Sequence, residues 1–281
     1  MKILIVGSSS VIGRYFTNYF SGKAHVLTAG RKQANFIIDL TRWDFLPEIN
    51  DEFDAVIQVA ADFGGKSDQD IIRAELVNAV GTLCSCRIAH EAKAKHYILL
   101  SSLSATYKHG DPYYSIYSLS KRHSEDAAQF FCHERGIPLT ILRPSQVYDA
   151  RGECRKHQAL LYMMADHASL GQSIYVYGTH DARRNYLYID DLAEVCWRIV
   201  QNSYIGTFTC AHPQSVRLSE MACAAFAASN KGGQLFFLPS KPNLVDLPSI
   251  EDYTIYQRIN YWPSIDINAG FGLINQHKRG L

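Results

Sequence analysis

Long hydrophobic runs and a large excess of one charge are both missing from this sequence. No apolar run reaches the roughly 20 residues of a membrane-spanning helix, and the apolar stretch in MKILIVGSSS is too short for the core of a signal peptide. The 28 Lys and Arg residues nearly balance the 27 Asp and Glu residues, which leaves a formal charge of +1. We therefore expect no nucleic-acid partner and no membrane partner, because either would need a basic or apolar surface.

Cysteine is also sparse in the patterns that carry function. The seven cysteines are scattered and odd in number, which favours a reducing cytoplasm over a disulfide framework. Cys84 and Cys86 lie two apart on a predicted helix and so face different directions. Cys154 and His157 have ligand spacing, but no second pair accompanies them. The sequence predicts a cytoplasmic protein with no metal site.

What the sequence does have is a regular alternation of two kinds of segment. Continuous apolar segments, which predict buried strands, occupy residues 2–6, 25–29, 54–61, 96–102 and 137–144. Segments with apolar residues at helical spacing occupy 11–20, 74–94 and 117–136. Strands that alternate with helices form a parallel sheet covered on both faces. The sequence therefore predicts an α/β fold with a Rossmann-type, doubly wound parallel sheet.

The alternation weakens after about residue 149. A helix is predicted over 157–171, a strand over 173–178 and a helix over 189–201. We predict one domain over 1–148 and a smaller C-terminal cap over 149–281, of which about 187–210 returns to the first domain. Ligands of such sheets lie outside the carboxyl ends of the strands.

The stretch GSSSVIG, residues 7–13, joins the first strand to the first helix. A helix N-terminus offers unpaired N–H groups and a positive dipole end, which suit a pyrophosphate. Gly7 allows the tight turn, and Gly13 lets the helix pack on the strand. A serine hydroxyl at position 10 can donate to phosphate. Binding of a dinucleotide is predicted for Gly7, Ser8, Ser9, Ser10, Val11, Ile12 and Gly13; the alternative is an ordinary glycine-bounded turn.

The second predicted strand ends in TAGRK, residues 28–32, without an acid. Dinucleotide sites that prefer NAD usually carry an acid there, which bonds the ribose hydroxyls. Arg31 can instead pair with a 2′-phosphate through two hydrogen bonds. The sequence thus favours NADP as cofactor, with NAD as second choice. The alternative is that Arg31 is a solvated turn residue.

Tyr117 and Lys121 lie four residues apart on a predicted helix and so share one face. A nearby ammonium favours the phenolate and can turn a group that titrates near 10 into an acid/base. Such a spacing also arises by chance among 17 tyrosines. The pair gains meaning only from its surroundings.

Taken together, six segments resemble the extended branch of the short-chain dehydrogenase/reductase family. That branch includes NAD(P)-dependent epimerases, dehydratases and reductases of nucleotide sugars. The segments, in the family's order, are GSSSVIG (7–13), DL (39–40), VAA (59–61), YSLSK (117–121), LRPSQVYD (142–149) and RRNYLYIDDLAEV (183–195).

The resemblance implies catalytic roles for three residues. Tyr117 would exchange a proton with a sugar hydroxyl or keto oxygen. Lys121 would hold the nicotinamide ribose and lower the pKa of Tyr117. The hydroxyl that the family requires at the end of the fourth strand is assigned to Ser102, with Ser104 as second choice.

The resemblance also implies binding roles. Arg184 would bind the pyrophosphate of a nucleotide sugar, unless it forms a structural ion pair with Asp190 or Asp191. The cofactor contacts that it implies are Asp39 and Leu40 at the adenine, Ala60 and Ala61 at the phosphate and ribose, and Pro144 onward at the nicotinamide.

This chain departs from the family pattern in two places. Members that eliminate water from the sugar carry an Asp-Glu pair directly after the strand-four hydroxyl. Alignment on the strand puts Leu103 and Ser104 there, and alignment on the tyrosine that follows puts Leu103 in the hydroxyl position and Ser104 and Ala105 after it, so neither alignment gives a carboxylate. A 4,6-dehydratase is therefore not expected. Gln146 stands where the family usually has asparagine, which affects substrate contacts.

The function expected from the resemblance is hydride transfer on a nucleotide-activated sugar. It would be either reduction of a 4-keto group or epimerisation of a carbinol. The alternative is a regulatory protein that binds NADP and has lost catalysis. Helices 74–94 and 117–134 carry apolar residues on more than one face, and in the resembled family the equivalent pair forms a dimer interface, so a homodimer is expected.

Overall fold

The computed structural model describes residues 1–248 and 250–280. Their contacts divide the chain into two units. The first unit consists of Met1–Pro144 and Ala193–Thr209, and the second of Ser145–Leu192 and the described residues from Cys210 onward. Among the helices of the described residues, none is both long and apolar enough to cross a membrane.

Short strands and helices alternate along the chain. The strands are β1 (Lys2–Val6), β2 (His25–Gly30), β3 (Phe36–Ile37), β4 (Ala55–Gln58), β5 (Tyr97–Leu100), β6 (Leu139–Pro144), β7 (Gln146–Tyr148), β8 (Ile174–Tyr177), β9 (Arg183–Arg184), β10 (Tyr186–Tyr188), β11 (Gly206–Cys210), β12 (Val216–Arg217) and β13 (Leu235–Leu238). The α-helices are α1 (Val11–Ser21), α2 (Asp68–Glu75), α3 (Gly81–Glu91), α4 (Ile116–Arg135), α5 (Ala159–Leu170), α6 (Ile189–Asn202), α7 (Leu218–Ser229), α8 (Thr254–Ile259) and α9 (Ile267–Lys278).

A seven-stranded sheet forms the centre of the first unit. Its strand order is β11-β6-β5-β4-β1-β2-β3, and all pairs from β6 to β3 are parallel. The chain runs outward from β1 to β3 on one side and then from β4 to β6 on the other. The switch point at which ligands bind in such sheets therefore lies between β1 and β4. The predicted α/β fold class is confirmed.

Apolar residues on both faces of the sheet are removed from water. On one face Leu4 and Val56 pack with Ile88 of α3 and Ala128 of α4. The neighbouring positions Ile3, Ile5 and Ile57 are also fully buried. Such near-continuous burial explains why these strands read as uninterrupted apolar runs.

Local signals set the ends of the helix that carries the tyrosine–lysine pair. The Ser115 side chain caps α4 by accepting a bond from the Ser118 N–H. Gly136 ends it with φ of 63°, a left-handed conformation that glycine adopts without strain. The predicted helix over 117–136 thus agrees with the observed one to within a residue at each end.

The helix predicted over 74–94 differs from the observed one. The observed helix α2 starts at Asp68, because the Ser67 side chain caps its first turn by accepting a hydrogen bond from the Asp70 N–H. Residues Leu76–Val80 then form a π-helical segment before α3 begins. Such segments occur mostly as single turns inside α-helices, frequently at functional sites.

The second unit is built from short paired strands and packed helices. β10 pairs with β7 and β13 with β8 in parallel, and β12 pairs with β9 antiparallel. Helix α7 packs against α5 and α9. The buried Asp191 carboxylate accepts bonds from the Tyr261 hydroxyl and the Ser264 N–H, which fixes this part of the chain.

Candidate active site

The turn between β1 and α1 leaves no room for side chains at its two glycines. Gly7 has φ of +93°, and a Cβ there would lie 2.5 Å from the Ala60 nitrogen. A Cβ on Gly13 would lie 2.3 Å from the Gly7 carbonyl oxygen. The Ser10 hydroxyl caps α1 by accepting a 3.0 Å bond from the Gly13 N–H, and its own proton is left for another acceptor. This is a cradle at the switch point that fits a phosphate group.

The other residues of the turn differ in exposure. Ser8 is buried, and its hydroxyl donates to the carbonyl oxygen of Ala29. Ser9 is exposed, and its carbonyl oxygen accepts a 2.8 Å bond from Arg14. Val11 and Ile12 are half-buried in the first turn of α1. The backbone of this turn is therefore held from both sides.

Arg31 lies on the surface directly after β2. Its positive charge helps to lower the pKa of Asp39, although hydrogen bonds from the backbone and side chain of Thr41 contribute more. Leu40 is buried beside this carboxylate. A cation, an anion and an apolar side chain thus follow β2 and β3 at one edge of the sheet.

Ala60 and Ala61 follow β4 and are half-buried. The Ala60 N–H donates to the side-chain oxygen of Gln58, whose side chain is fully buried. The Gln58 amide nitrogen has no hydrogen-bond partner among the described residues. A buried donor of this kind is costly unless it meets an acceptor.

Ser102, Tyr117 and Lys121 come together in the first unit. The Ser102 side chain lies close enough to Tyr117 to influence the pKa of the phenol, and it accepts a 3.1 Å bond from the Ser104 N–H. Lys121 is only 2% exposed, and its Nζ donates a 2.8 Å bond to the carbonyl oxygen of Leu100. Two hydroxyl groups and a buried cation are a grouping suited to proton exchange.

The electrostatics of the pair differ from the sequence prediction. Burial raises the pKa of the Tyr117 phenol to about 12, and the nearby Ser102 side chain only partly offsets this rise. Burial lowers the pKa of Lys121 to about 8, against an opposing effect of Glu125. The resemblance implies that Lys121 lowers the pKa of Tyr117; in this structure desolvation, which disfavours the charged form of both groups, outweighs any such effect.

Glu125, one turn after Lys121 on α4, links this helix to Ser101 and to Arg143 of β6. Its carboxylate, 3% exposed, accepts bonds from Ser101 and from the guanidinium of Arg143. A buried carboxylate with several charge-assisted partners is held firmly in one position. Pro144, the next residue, is buried at the end of β6.

Sequence reasoning missed an aromatic residue beside the phenol. The Phe63 ring stacks on the Tyr117 ring with centroids 4.5 Å apart and planes 15° from parallel. The only available signal was its place two residues after Ala61 in the sequence. A turn of this kind has no periodicity from which the direction of a side chain could be derived.

The second unit contains a cavity of about 530 Å³. Arg184 lines it, is 6% exposed, and donates to the carbonyl oxygens of Arg183 and Val245. Gln146 also lines it; its Nε2 donates to Gln158, and its Oε1 has no partner among the described residues. The other polar and aromatic lining residues, none of them predicted, include His157, Tyr175, Tyr177 and Tyr186.

Residues 3–207 match the model of the NAD dependent epimerase/dehydratase family. Among curated proteins, UDP-glucuronic acid decarboxylase 1 of Arabidopsis thaliana is 22% identical over 303 residues, which cover 96% of this chain and 68% of the relative.

Solved structures share the fold over the whole chain. UDP-N-acetylglucosamine 4-epimerase from Bacillus cereus has a TM-score of 0.81 at 18% identity and covers 100% of this chain and 97% of its own. RMD from Pseudomonas aeruginosa, complexed with NADPH, has a TM-score of 0.79 at 15% identity and covers 98% of this chain and 97% of its own. UDP-glucuronic acid 4-epimerase from Bacillus cereus, in complex with NAD, has a TM-score of 0.77 at 19% identity and covers 100% of this chain and 99% of its own.

The family match spans all six segments on which the resemblance rested, among them the turn between β1 and α1 and the tyrosine–lysine pair. The predicted family is therefore confirmed. This chain belongs to the NAD dependent epimerase/dehydratase family.

Proposed function

We propose that this chain is an NAD(P)-dependent oxidoreductase or epimerase that acts at a ring carbon of a nucleotide-activated sugar. The observation that carries the proposal is the grouping of Ser102, Tyr117 and Lys121. A bound nicotinamide supplies or accepts the hydride. NADP is the proposed cofactor and NAD the second choice.

Each of the three residues has a distinct role in this proposal. With a pKa near 12 the Tyr117 phenol is protonated at neutral pH, so it gives its proton to the sugar's keto oxygen in the reductive direction. The Ser102 hydroxyl binds the same oxygen. The Lys121 ammonium has donors beyond the one used by Leu100, and these hold the ribose hydroxyls.

The reverse direction needs the phenolate as base. Positive charge near the phenol favours that form, and Lys121 lies one helical turn away from Tyr117. Net reduction is the reaction that we favour, because the exposed Arg31 after β2 suits the 2′-phosphate of NADPH, the usual donor for reduction. Epimerisation requires both directions in turn.

The cofactor contacts follow from the geometry of the first unit. The turn of Gly7, Ser10 and Gly13 suits the pyrophosphate because both glycines pack tightly against neighbouring protein atoms, which places the N–H groups at the start of α1 at the end of β1. Arg31 pairs with a 2′-phosphate beside Asp39 and Leu40 at the adenosine. The remaining proposed contacts are Ser8, Ser9, Val11, Ile12, Ala60, Ala61 and Pro144.

The nucleotide of the substrate is assigned to the cavity of the second unit. The buried guanidinium of Arg184 suits a diphosphate, which it can bind through two parallel hydrogen bonds. Tyr175 and Tyr177 line the same cavity and offer ring faces to a base. Names of relatives that refer to UDP sugars support this substrate class.

We also propose a homodimer formed through α3 and α4. Leu83 on α3 is 39% exposed and Phe130 on α4 is 71% exposed. Burial of such side chains between two copies would remove apolar area from water. Sedimentation at micromolar concentration should give twice the chain mass, and a single-chain mass would contradict the proposal.

The test of function begins with the purified protein. Bound nucleotides are released by denaturation and identified by mass, and NADPH oxidation is followed with UDP-, dTDP- and GDP-linked 4-keto sugars. Tyr117→Phe should lower turnover by roughly 10²–10⁴-fold while it leaves NADPH affinity nearly unchanged. An epimerase would instead interconvert the sugars without net consumption of NADPH.

Tyr114→Phe is the matched control, because Tyr114 lies on the segment before α4 and outside the proposed site. It should retain full turnover. Equal activity of Tyr117→Phe and the unchanged protein would refute the acid/base role. Cofactor binding without turnover on any of the sugars would favour a regulatory protein.

A further inference from the structure

The loop after β4 is held by one buried side chain. The Asn78 amide bonds both backbone groups of Asp62: its oxygen accepts from the N–H at 2.9 Å, and its nitrogen donates to the carbonyl oxygen at 2.7 Å. Asn78 is 1% exposed and lies in the π-helical segment. These two bonds fix the position and orientation of the Asp62 backbone, which precedes Phe63.

The Asp62 carboxylate fixes the same loop from its other side. It accepts a 2.7 Å bond from the Gly64 N–H and a 2.8 Å bond from the Arg73 guanidinium. Gly64 has φ of +65°, and a Cβ there would lie 2.5 Å from the Ile116 side chain. Only a glycine fits this turn, which passes directly over the start of α4.

Asn78 also ties the loop to the helix that carries Tyr117. Its amide nitrogen donates a 2.8 Å bond to the Ser120 hydroxyl. That hydroxyl donates in turn to the Tyr117 carbonyl oxygen at 3.3 Å. One buried amide therefore sets the position of the loop against the turn of α4 that holds both Tyr117 and Lys121.

The product of these bonds is the stack of Phe63 on Tyr117. Phe63 is 46% exposed, so its burial contributes only part of the apolar stabilisation that a core phenylalanine would give. A parallel stack fixes the plane of the phenol, and proton transfer depends on where the Tyr117 oxygen is aimed relative to Ser102. The ring also keeps water from one face of the phenol.

We propose that Phe63 is a positioning residue for the acid/base: its ring, fixed by Asn78, stacks on the Tyr117 phenol and holds it in the plane from which it exchanges a proton. The inference rests on the proposed function of Tyr117. It adds Phe63 and Asn78, for which neither the sequence motifs nor the comparisons give a role. Asp62, the residue before Phe63, forms an ion pair with Arg73, which also pairs with Asp70.

A double-mutant cycle tests this role. In the otherwise unchanged protein, Phe63→Ala should lower kcat about tenfold, with a smaller change in KM for the sugar. In the Tyr117→Phe background the same change should cost less than about twofold, because the ring acts through the phenol. Phe63→Tyr should restore most of the loss. An equal loss in both backgrounds would overturn the proposal.

A second readout does not depend on turnover. In protein labelled with 13C at the tyrosine ring Cζ, the Tyr117 signal is the one lost in Tyr117→Phe. Removal of the stacked ring lets water reach the phenol, so in Phe63→Ala this signal should titrate about one pH unit lower than in the unchanged protein. Asn78→Ala should shift it in the same direction. Identical titrations in all three proteins would overturn the stack's role.

The two proposals fail separately in these experiments. Full activity of Tyr117→Phe would refute the proposed acid/base, whereas the titration still decides whether Phe63 controls the surroundings of the phenol. Phe45→Ala is the control, since Phe45 is 70% exposed and lies outside the loop. Phe45→Ala should change neither kcat nor the titration of the Tyr117 signal. If Phe63→Ala does not fold, Phe63→Leu, which keeps an apolar side chain, replaces it.

Discussion

The Nζ atom of Lys121 donates a 2.8 Å hydrogen bond to the carbonyl oxygen of Leu100, the last residue of β5. The sheet thereby holds the ammonium at its carboxyl edge, one helical turn from Tyr117. Burial lowers the pKa of Lys121 to about 8. The ammonium is therefore present at neutral pH, and its desolvation lowers the stability of the folded protein.

Replacement of this lysine should stabilise the protein while it abolishes activity. Burial lowers the pKa of Lys121 from its ordinary 10.5 to about 8, so the charge costs on the order of 3 kcal/mol at pH 7. Lys121→Met removes this cost, and its free energy of unfolding should rise by up to that amount. Chemical denaturation at pH 7 measures it, with exposed Lys66→Met as control.

The pH dependence gives the sign of the same effect. Between pH 8 and 10.5 the unfolded chain holds the proton of Lys121 and the folded protein does not, so stability contributed by this group rises with pH. Lys121→Met should lack that rise. An identical pH profile in both proteins would contradict the lowered pKa.

Ser102 and Ser104 should differ sharply in their effect on turnover. Burial raises the pKa of Tyr117 and the nearby Ser102 side chain opposes this shift, whereas Ser104 contributes its backbone N–H to Ser102. We expect Ser102→Ala to lower kcat by roughly 10- to 100-fold, since one hydrogen bond to the reacting oxygen is lost. Ser104→Ala keeps the backbone donor and should change kcat less than threefold. A larger loss in Ser104→Ala would reverse the assignment.

Arg31 should decide the preference between the two cofactors. A charge-assisted pair with a 2′-phosphate is worth about 1.5–3 kcal/mol, so Arg31→Ala should lower the ratio of NADP to NAD affinity by about 10- to 100-fold. Lys32→Ala is the matched control, because Lys32 is the next exposed cation. Titration of the dinucleotides by fluorescence measures both affinities. An unchanged ratio would remove Arg31 from the phosphate.

Arg184 should contribute affinity for the nucleotide diphosphate. Arg184→Lys keeps a positive charge but loses the planar fork that pairs with two phosphate oxygens. We expect UDP binding to weaken about tenfold, as measured by calorimetry, with the melting temperature of both proteins as a check on folding. Exposed Arg183→Lys should bind UDP normally.

His96 should make the fold sensitive to acid. It is 1% exposed, with Nε2 bonded to Thr140, and burial lowers its pKa from 6.5 to about 4. As pH falls from 6.5 to 4 the unfolded chain takes up the proton first, so stability falls by on the order of 3 kcal/mol. His96→Gln should lack this component, and exposed His133→Gln should keep it.

Much of the first unit was predictable from the sequence. The run KILIV, the glycines at 7 and 13 and the spacing of Tyr117 and Lys121 are local patterns whose meaning depends on a few neighbouring residues. The start of α2 and the π-helical segment were not, since the cap at Ser67 has no hydrophobic periodicity around it. The position of Phe63 was not either, because a glycine-containing turn can direct a side chain several ways.

The sequence by itself determined the α/β class, the glycine-bounded turn between β1 and α1 and the shared helix of Tyr117 and Lys121, because strand and helix periods and glycine geometry are local properties of the chain. Only the tertiary structure decided the protonation states of Tyr117 and Lys121, because desolvation depends on the groups packed around them. It alone brought Phe63 and Asn78 to the phenol, since contacts between distant segments follow from packing and not from spacing.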